Sequence, residues 1–173
     1  KRFVDIINND LANTIGNLLN RTSSMSRKWF DNKVPNIENV SIENKLENFA
    51  KIAVEKYINK FDNYKLDLAA NEVLNLAINT NLYLNDNEPW MLIKEENNLP
   101  IVREIIYNVL ESTRIIGLLL LPLLPELSSK INEQLGSIYK KEIPWEQQLK
   151  WGLLISNSSL PKPSPIINKL EYE

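Results

Sequence analysis

The chain has 173 residues, 43% of them hydrophobic, enough for one buried core, and 20 basic against 22 acidic side chains, a net charge of −2. With no Cys and no His it cannot build a disulfide, a zinc site with the usual ligands, a Cys nucleophile or a Ser/His/Asp triad. Four Gly, at 16, 117, 136 and 152, leave no Gly-rich phosphate cradle, so a self-contained enzyme fits poorly.

Helical spacing of apolar residues runs through most of the chain. Val4, Ile7, Leu11, Ile15, Leu18, Thr22, Met25 and Trp29 predict one long helix over residues 2 to 29. Lys33-Val34-Pro35-Asn36 ends it. Ser41 is the N-cap expected for a second helix, whose stripe is Ile42, Leu46, Phe49, Ala53, Tyr57 and Phe61. A third helix, 65 to 85, is apolar on more than one face (Leu66, Ala69, Val73, Leu74, Ala77, Ile78, Leu82) and is expected between neighbours. Asp86-Asn87-Glu88-Pro89 closes it.

Asn98-Leu99-Pro100 opens a fourth helix that runs to about Leu121, and a short fifth, 123 to 135, stops at Gly136. Beyond Gly136 the Pro residues in Ile143-Pro144-Trp145 and Leu160-Pro161-Lys162-Pro163-Ser164-Pro165 forbid long helices, leaving one helical turn near 145 to 149. No useful period-2 alternation appears, so strands are expected to be scarce. The expected fold is all-α: an up-and-down bundle of four long helices and a short fifth over residues 1–136. An extended Pro-rich tail, 137–173, packs on that bundle as part of the same domain.

Lys1-Arg2-Phe3 shows neither an initiator Met nor an apolar signal region, so the chain reads as a piece of a longer protein. The longest apolar run, Ile115 to Leu124, is half of what a membrane crossing needs and contains Pro122. With no Cys, a cytoplasmic location without a membrane partner is the expectation.

The charge is unevenly distributed. Residues 1–33 hold six basic and three acidic groups, residues 34–100 six and eleven, and the remainder eight and eight. The first helix is therefore either a solvated basic face or the place any bound polyanion should prefer, with Arg27, Lys28 and Lys33 at its exit as candidate phosphate contacts. Asn17 and Arg21, four residues apart, project from one helical face about 6 Å apart along the axis. An amide and a guanidinium so placed are either ordinary solvated helix surface or a pair suited to base edges, because each offers a planar hydrogen-bonding group. Trp90, fixed behind Pro89 at the end of the third helix, is either a core plug or a ring on which an unpaired base stacks. Trp29, Trp145 and Trp151 read as packing residues. Glu95-Glu96 and Asp62/Asp67 read as solvated surface, with no catalytic residue and no metal ligand assigned.

Several segments together resemble one family. Asn9-Asp10-Leu11-Ala12-Asn13-Thr14-Ile15-Gly16-Asn17-Leu18-Leu19-Asn20-Arg21-Thr22 resembles the opening helix of the anticodon-binding domain of bacterial methionyl-tRNA synthetases. Asn81-Leu82-Tyr83 through Glu88-Pro89-Trp90, with Lys94, is similar to that family's Asn-x-Tyr…Pro-Trp signature. Leu121-Pro122-Leu123-Leu124-Pro125-Glu126 through Gln134-Leu135-Gly136 resembles the next element, and Trp151-Gly152 with Lys162-Pro163-Ser164-Pro165-Ile166-Ile167-Asn168-Lys169-Leu170-Glu171 the closing peptide. The sequence departs from the family at Met91, often polar or basic there, and in the loose closing peptide Ile166-Ile167-Asn168-Lys169.

The resemblance implies that Asn17, Arg21 and Trp90 contact the CAU anticodon of methionine tRNAs, with no chemistry in this fragment. The parent would be a methionine–tRNA ligase, a class I aminoacyl-tRNA synthetase using ATP and Mg in a separate upstream catalytic domain. That domain and the methionine tRNA are the implied partners; no cofactor is assigned to this fragment, and DNA is not among the partners. Ser24-Met25-Ser26-Arg27-Lys28 faintly echoes the Lys-Met-Ser-Lys-Ser loop of class I synthetases but lacks the leading Lys, and Met25 falls on the core stripe. Two alternatives stand beside this reading: a helical protein–protein interaction module, and the anticodon domain of another class I synthetase.

Overall fold

The computed structural model describes residues 10–37, 44–136 and 139–165. Four long helices dominate: α1 (Ala12–Trp29), α2 (Lys45–Asp62), α3 (Leu66–Asn87) and, after a short α4 (Pro89–Leu92) and a 3-10 turn (Glu96–Asn98), α5 (Leu99–Leu120). The short α6 (Pro125–Gln134) and a single turn, α7 (Trp145–Gln148), complete the described helices. The all-α bundle of four long helices and a short fifth is thus what the apolar spacing predicts. Among the described residues the extended structure is one isolated bridge, Lys33 with Ser159.

The helix limits follow from local chemistry. The α1 stripe is buried as expected at Leu11, Ile15, Leu18 and Thr22 and half-buried at Met25 and Trp29. Its expected beginning, with Val4 and Ile7, lies outside the described residues. Asn44 caps α2, its side-chain oxygen accepting the Glu47 N–H at 3.1 Å; Ser41, expected in that role, lies outside the described residues. Gly136, past the end of α6, takes the left-handed φ of +86° that stops a helix, and a Cβ there would meet the Ser159 carbonyl at 2.8 Å.

Two packing expectations need correction. On α2 the buried line is Leu46, Ala50, Ala53 and Tyr57, while Phe49 is 47% exposed. The small Ala50 and Ala53, facing a helix that buries Ala69 and Ala77, let the α2 and α3 backbones approach closely. The helix at the centre is α5, buried at every residue from Glu104 to Leu120. It packs on α1, α2, α3, α4 and α6. α3 does lie between α1, α2 and α5, but its Leu66, Ile78 and Leu82 face solvent. α1 sits on α3 and α5, and α2 packs on the same pair.

Thr80 and Ser112 share a 2.7 Å hydroxyl contact, and Asn108 donates to the Tyr83 hydroxyl while accepting from Asn44, stitching α3, α5 and the start of α2 together. Residues 139–165 lie against the bundle through Trp145, whose indole N–H donates to the Leu118 carbonyl, and through a buried ion pair on α5. Arg114 clasps Glu111 by two bonds of 2.6 and 2.7 Å and donates to the carbonyls of Gln148 and Lys150. Glu111 in turn accepts the backbone N–H groups of Gly152, Leu153 and Leu154. A pair so deeply desolvated is tolerable because nearly every donor and acceptor has a partner.

Candidate nucleic-acid interface

The site is assembled where α1 crosses the C-terminal end of α3. Asn81 donates to the Thr14 carbonyl, and four residues later Asn85 accepts from Arg21, so one face of α3 holds α1 at two points. The two paired positions ascend together, so α1 climbs toward the end of the bundle where α3 stops. There Glu88 adopts a left-handed backbone, φ 42°, which turns the chain sharply into α4. Pro89 occupies the first position of α4 and is buried, fixing the next residue, Trp90. Trp90 is half-buried, its indole packed against the core.

This geometry brings Arg21 and Trp90 together, although 68 residues of sequence separate them. The guanidinium carbon stands 5.6 Å from the indole centroid, and one terminal nitrogen donates to Asn85 Oδ1 at 3.1 Å. At a partly solvated site such a cation–π contact contributes about 0.5–1 kcal/mol. Asn17, one turn earlier on α1, is exposed. The three residues taken from the sequence as the recognition set therefore share one end of the bundle: an amide and a guanidinium on α1, and the indole from α4.

The three candidate cations are placed differently. Lys28 lies within about 20° of both Asn17 and Arg21 around α1, about 10 Å beyond Arg21 and about 16 Å beyond Asn17 along its axis. Arg27 projects about 80° away from Asn17. Both are exposed, in the last turn of α1, where cations also complement the helix dipole. Lys33 is exposed beyond the helix end, and its backbone is engaged in the bridge with Ser159. Lys94, part of the sequence signature, is exposed and donates to the Met91 sulfur at 3.4 Å.

Asn85 is the site residue that the sequence reading omits. The signal that would find it is its spacing from Asn81, four residues on, on the α3 face that meets α1. Tyr83, from the same signature, faces inward to Asn108, so the Asn-x-Tyr pair acts in packing α3 rather than on the surface. A second concavity, about 480 Å³, opens between α2, α3 and α5 and is lined by Asn44, Phe49, Leu82, Asp86 and Glu104 among others. It draws on the opposite side of α3 from α1. Burial pushes the Glu104 carboxyl above the ordinary carboxylate range, and its Oε2 has no hydrogen-bond partner among the described residues. Among the described residues no group of carboxylates is arranged to hold a metal ion, and no helix is long and apolar enough to cross a membrane.

A family model described as the anticodon binding domain of methionyl tRNA ligase matches residues 34–173. It begins after α1, but alignments to whole relatives run further. The methionine–tRNA ligase of Thermosynechococcus vestitus is 36% identical over 177 residues, covering 98% of this chain and 33% of the relative. That of Bacillus subtilis is 33% identical over 173 residues, covering 99% and 26%. The crystal structure of apo Mycobacterium tuberculosis methionyl-tRNA synthetase matches with a TM-score of 0.82 at 28% identity, over 98% of this chain and 34% of that one. The same organism's synthetase bound by methionyl-adenylate matches with a TM-score of 0.80 over 95% of this chain. The chain spans between about a quarter and a third of the length of these relatives. The helical bundle, the paired α1 and α3 signatures and these matches agree: the chain belongs to the family of anticodon-binding domains of methionyl-tRNA ligases.

Proposed function

We propose that this chain binds the CAU anticodon loop of methionine tRNAs, as the recognition part of a methionine–tRNA ligase acting in the cytoplasm. An unpaired loop base stacks on Trp90, Asn17 and Arg21 read base edges, and Arg27, Lys28 and Lys33 meet backbone phosphates. The observation that carries this reading is the convergence of Arg21 and Trp90 beside an exposed Asn17, a flat ring and a planar hydrogen-bonding group at one bundle end. In the parent ligase, methionine is activated with ATP and Mg in a separate catalytic domain and transferred to the tRNA held here. We read residues 1–136 and the tail 137–173 as one unit in that protein, a reading supported by the Glu111–Arg114 clasp on the tail backbone.

The test is a titration of the chain with a CAU anticodon stem-loop and with a scrambled-anticodon loop, followed by Trp fluorescence. Saturable quenching by the CAU loop alone is expected. Trp90→Ala should weaken binding by about 1–3 kcal/mol, roughly five- to 150-fold, the contribution of one base stack. An equal response to both loops, or none, would overturn the reading in favour of a protein-interaction module, for which the exposed Phe49, Ile52 and Leu82 would be the first surface to probe.

A further inference from the structure

The place where a base would stack is already taken. The Arg21 guanidinium lies over the Trp90 ring, and the indole is otherwise half-buried against the core. A base arriving at that ring face must occupy the area the guanidinium covers. Asn85 holds Arg21 through a single terminal nitrogen, which leaves most of the guanidinium donors unspent. The anchor itself is firm, because α3 is tied to α1 one turn earlier by Asn81 on the Thr14 carbonyl.

We infer that Arg21 is an exchangeable cover on Trp90, with Asn85 as its positioning residue. In the free chain the guanidinium shields the indole from water. On RNA binding the base replaces it on the ring, and the guanidinium, still bonded to Asn85, swings to the edge of that same base. The exchange runs forward because a base stacks on an indole more strongly than a partly hydrated cation does. No new loop movement is needed, since Arg21 rotates about its own side-chain torsions. This inference rests on the proposed RNA-binding function, and its first half can be tested without RNA.

The experiment is side-chain NMR on the ¹⁵N-labelled chain, wild type, Asn85→Ala and Asn85→Asp, with circular dichroism to verify that each variant keeps its helices. In the free wild type, the Arg21 side-chain N–H resonances should be shifted upfield by the ring current of Trp90. Asn85→Ala should shrink that shift, and Asn85→Asp, which offers a carboxylate acceptor in the same place, should restore it. On saturation with the CAU stem-loop, the wild-type shift should collapse as the guanidinium leaves the ring. Dissociation of the stem-loop should be about three- to tenfold faster from Asn85→Ala and return to near wild type in Asn85→Asp. An Arg21 shift that survives in the saturated complex would overturn the exchange. An unchanged shift and dissociation rate in Asn85→Ala, or no rescue by Asp, would remove Asn85 from the role. If the stem-loop does not bind at all, the RNA-binding function and the exchange fall together, while the RNA-free spectra still decide whether Asn85 holds Arg21 on the ring.

Discussion

Glu104 shows how a single buried group sets a pH response. Its carboxyl is pushed up by burial and one oxygen has no partner among the described residues. The folded chain therefore keeps that proton to a higher pH than the unfolded chain does. Stability on this account is greatest at acid pH and is lost as the pH rises from the ordinary carboxylate value through the raised folded value. Glu104→Gln should remove this dependence and stabilise the chain at pH 7 by about 1–3 kcal/mol, with thermal melts at pH 5 and 7 converging. An unchanged difference between the two melts would refute it. None of this was legible in the sequence, where Glu104 is one of many carboxylates. Its meaning comes from α5 being central, which no local pattern declares. Arg21 and Trp90, by contrast, were readable as a guanidinium on the first helix and a ring behind Pro89, while their contact was not. It depends on α1 and α3 rising together, a long-range arrangement that periodicity does not encode.

At the scale of the helices, the ends were readable because Pro and Gly act locally: Pro100, Pro125 and Gly136 lie where α5 starts, α6 starts and α6 stops. The faces were less readable. On α2, Phe49 and Ala50 are consecutive, and the structure buries the smaller one because close approach to α3 rewards a methyl over a ring. In α5, Glu104, Asn108, Glu111, Ser112, Thr113 and Arg114 interrupt the apolar pattern, so the most deeply buried helix does not read as one. The contact of α5 with α6 makes a sharper prediction. A Cβ on Gly117 would stand 2.8 Å from Ile131 Cγ2, and the Gly117 carbonyl accepts from Ser128. Gly117→Ala gains about 1 kcal/mol of helix propensity, yet it must force a β-branched neighbour off its packed position. A net loss of about 1–2 kcal/mol is expected in urea unfolding, and Ile131→Ala, which removes the crowded Cγ2, should cost less in that background than in wild type. A stabilised single variant would show that α6 can retreat freely.

At the scale of the whole molecule, the ion pair on α5 fastens the tail. Glu111→Ala would leave Arg114 buried without its carboxylate and three backbone N–H groups without their acceptor. A loss of about 3–5 kcal/mol is expected, a large share of the stability of an ordinary domain. Trp145 and Trp151, both packed against the core, should report it as a red shift in fluorescence, and protease should cut within 139–165 before it cuts the helices. Replacing both partners, Glu111→Leu with Arg114→Met, should recover only the share of the loss due to the unpaired buried charge, because the Gly152, Leu153 and Leu154 N–H groups still lack their acceptor. A single Ala variant as stable as wild type would show that the tail is held by its apolar contacts instead.

The Lys33–Ser159 bridge and the bonds of Val34 with Ser158 and Asn157 join the exit of α1 to a segment close to the last described residues. During synthesis α1 leaves the ribosome well before its neighbours α3 and α5, and the segment that closes over its exit comes later still. Until then the apolar stripe of α1 lacks the partners that bury it in this domain. Folding of this domain is therefore a late, cooperative event in translation, and chaperones that shield short apolar helices would have their longest opportunity on α1.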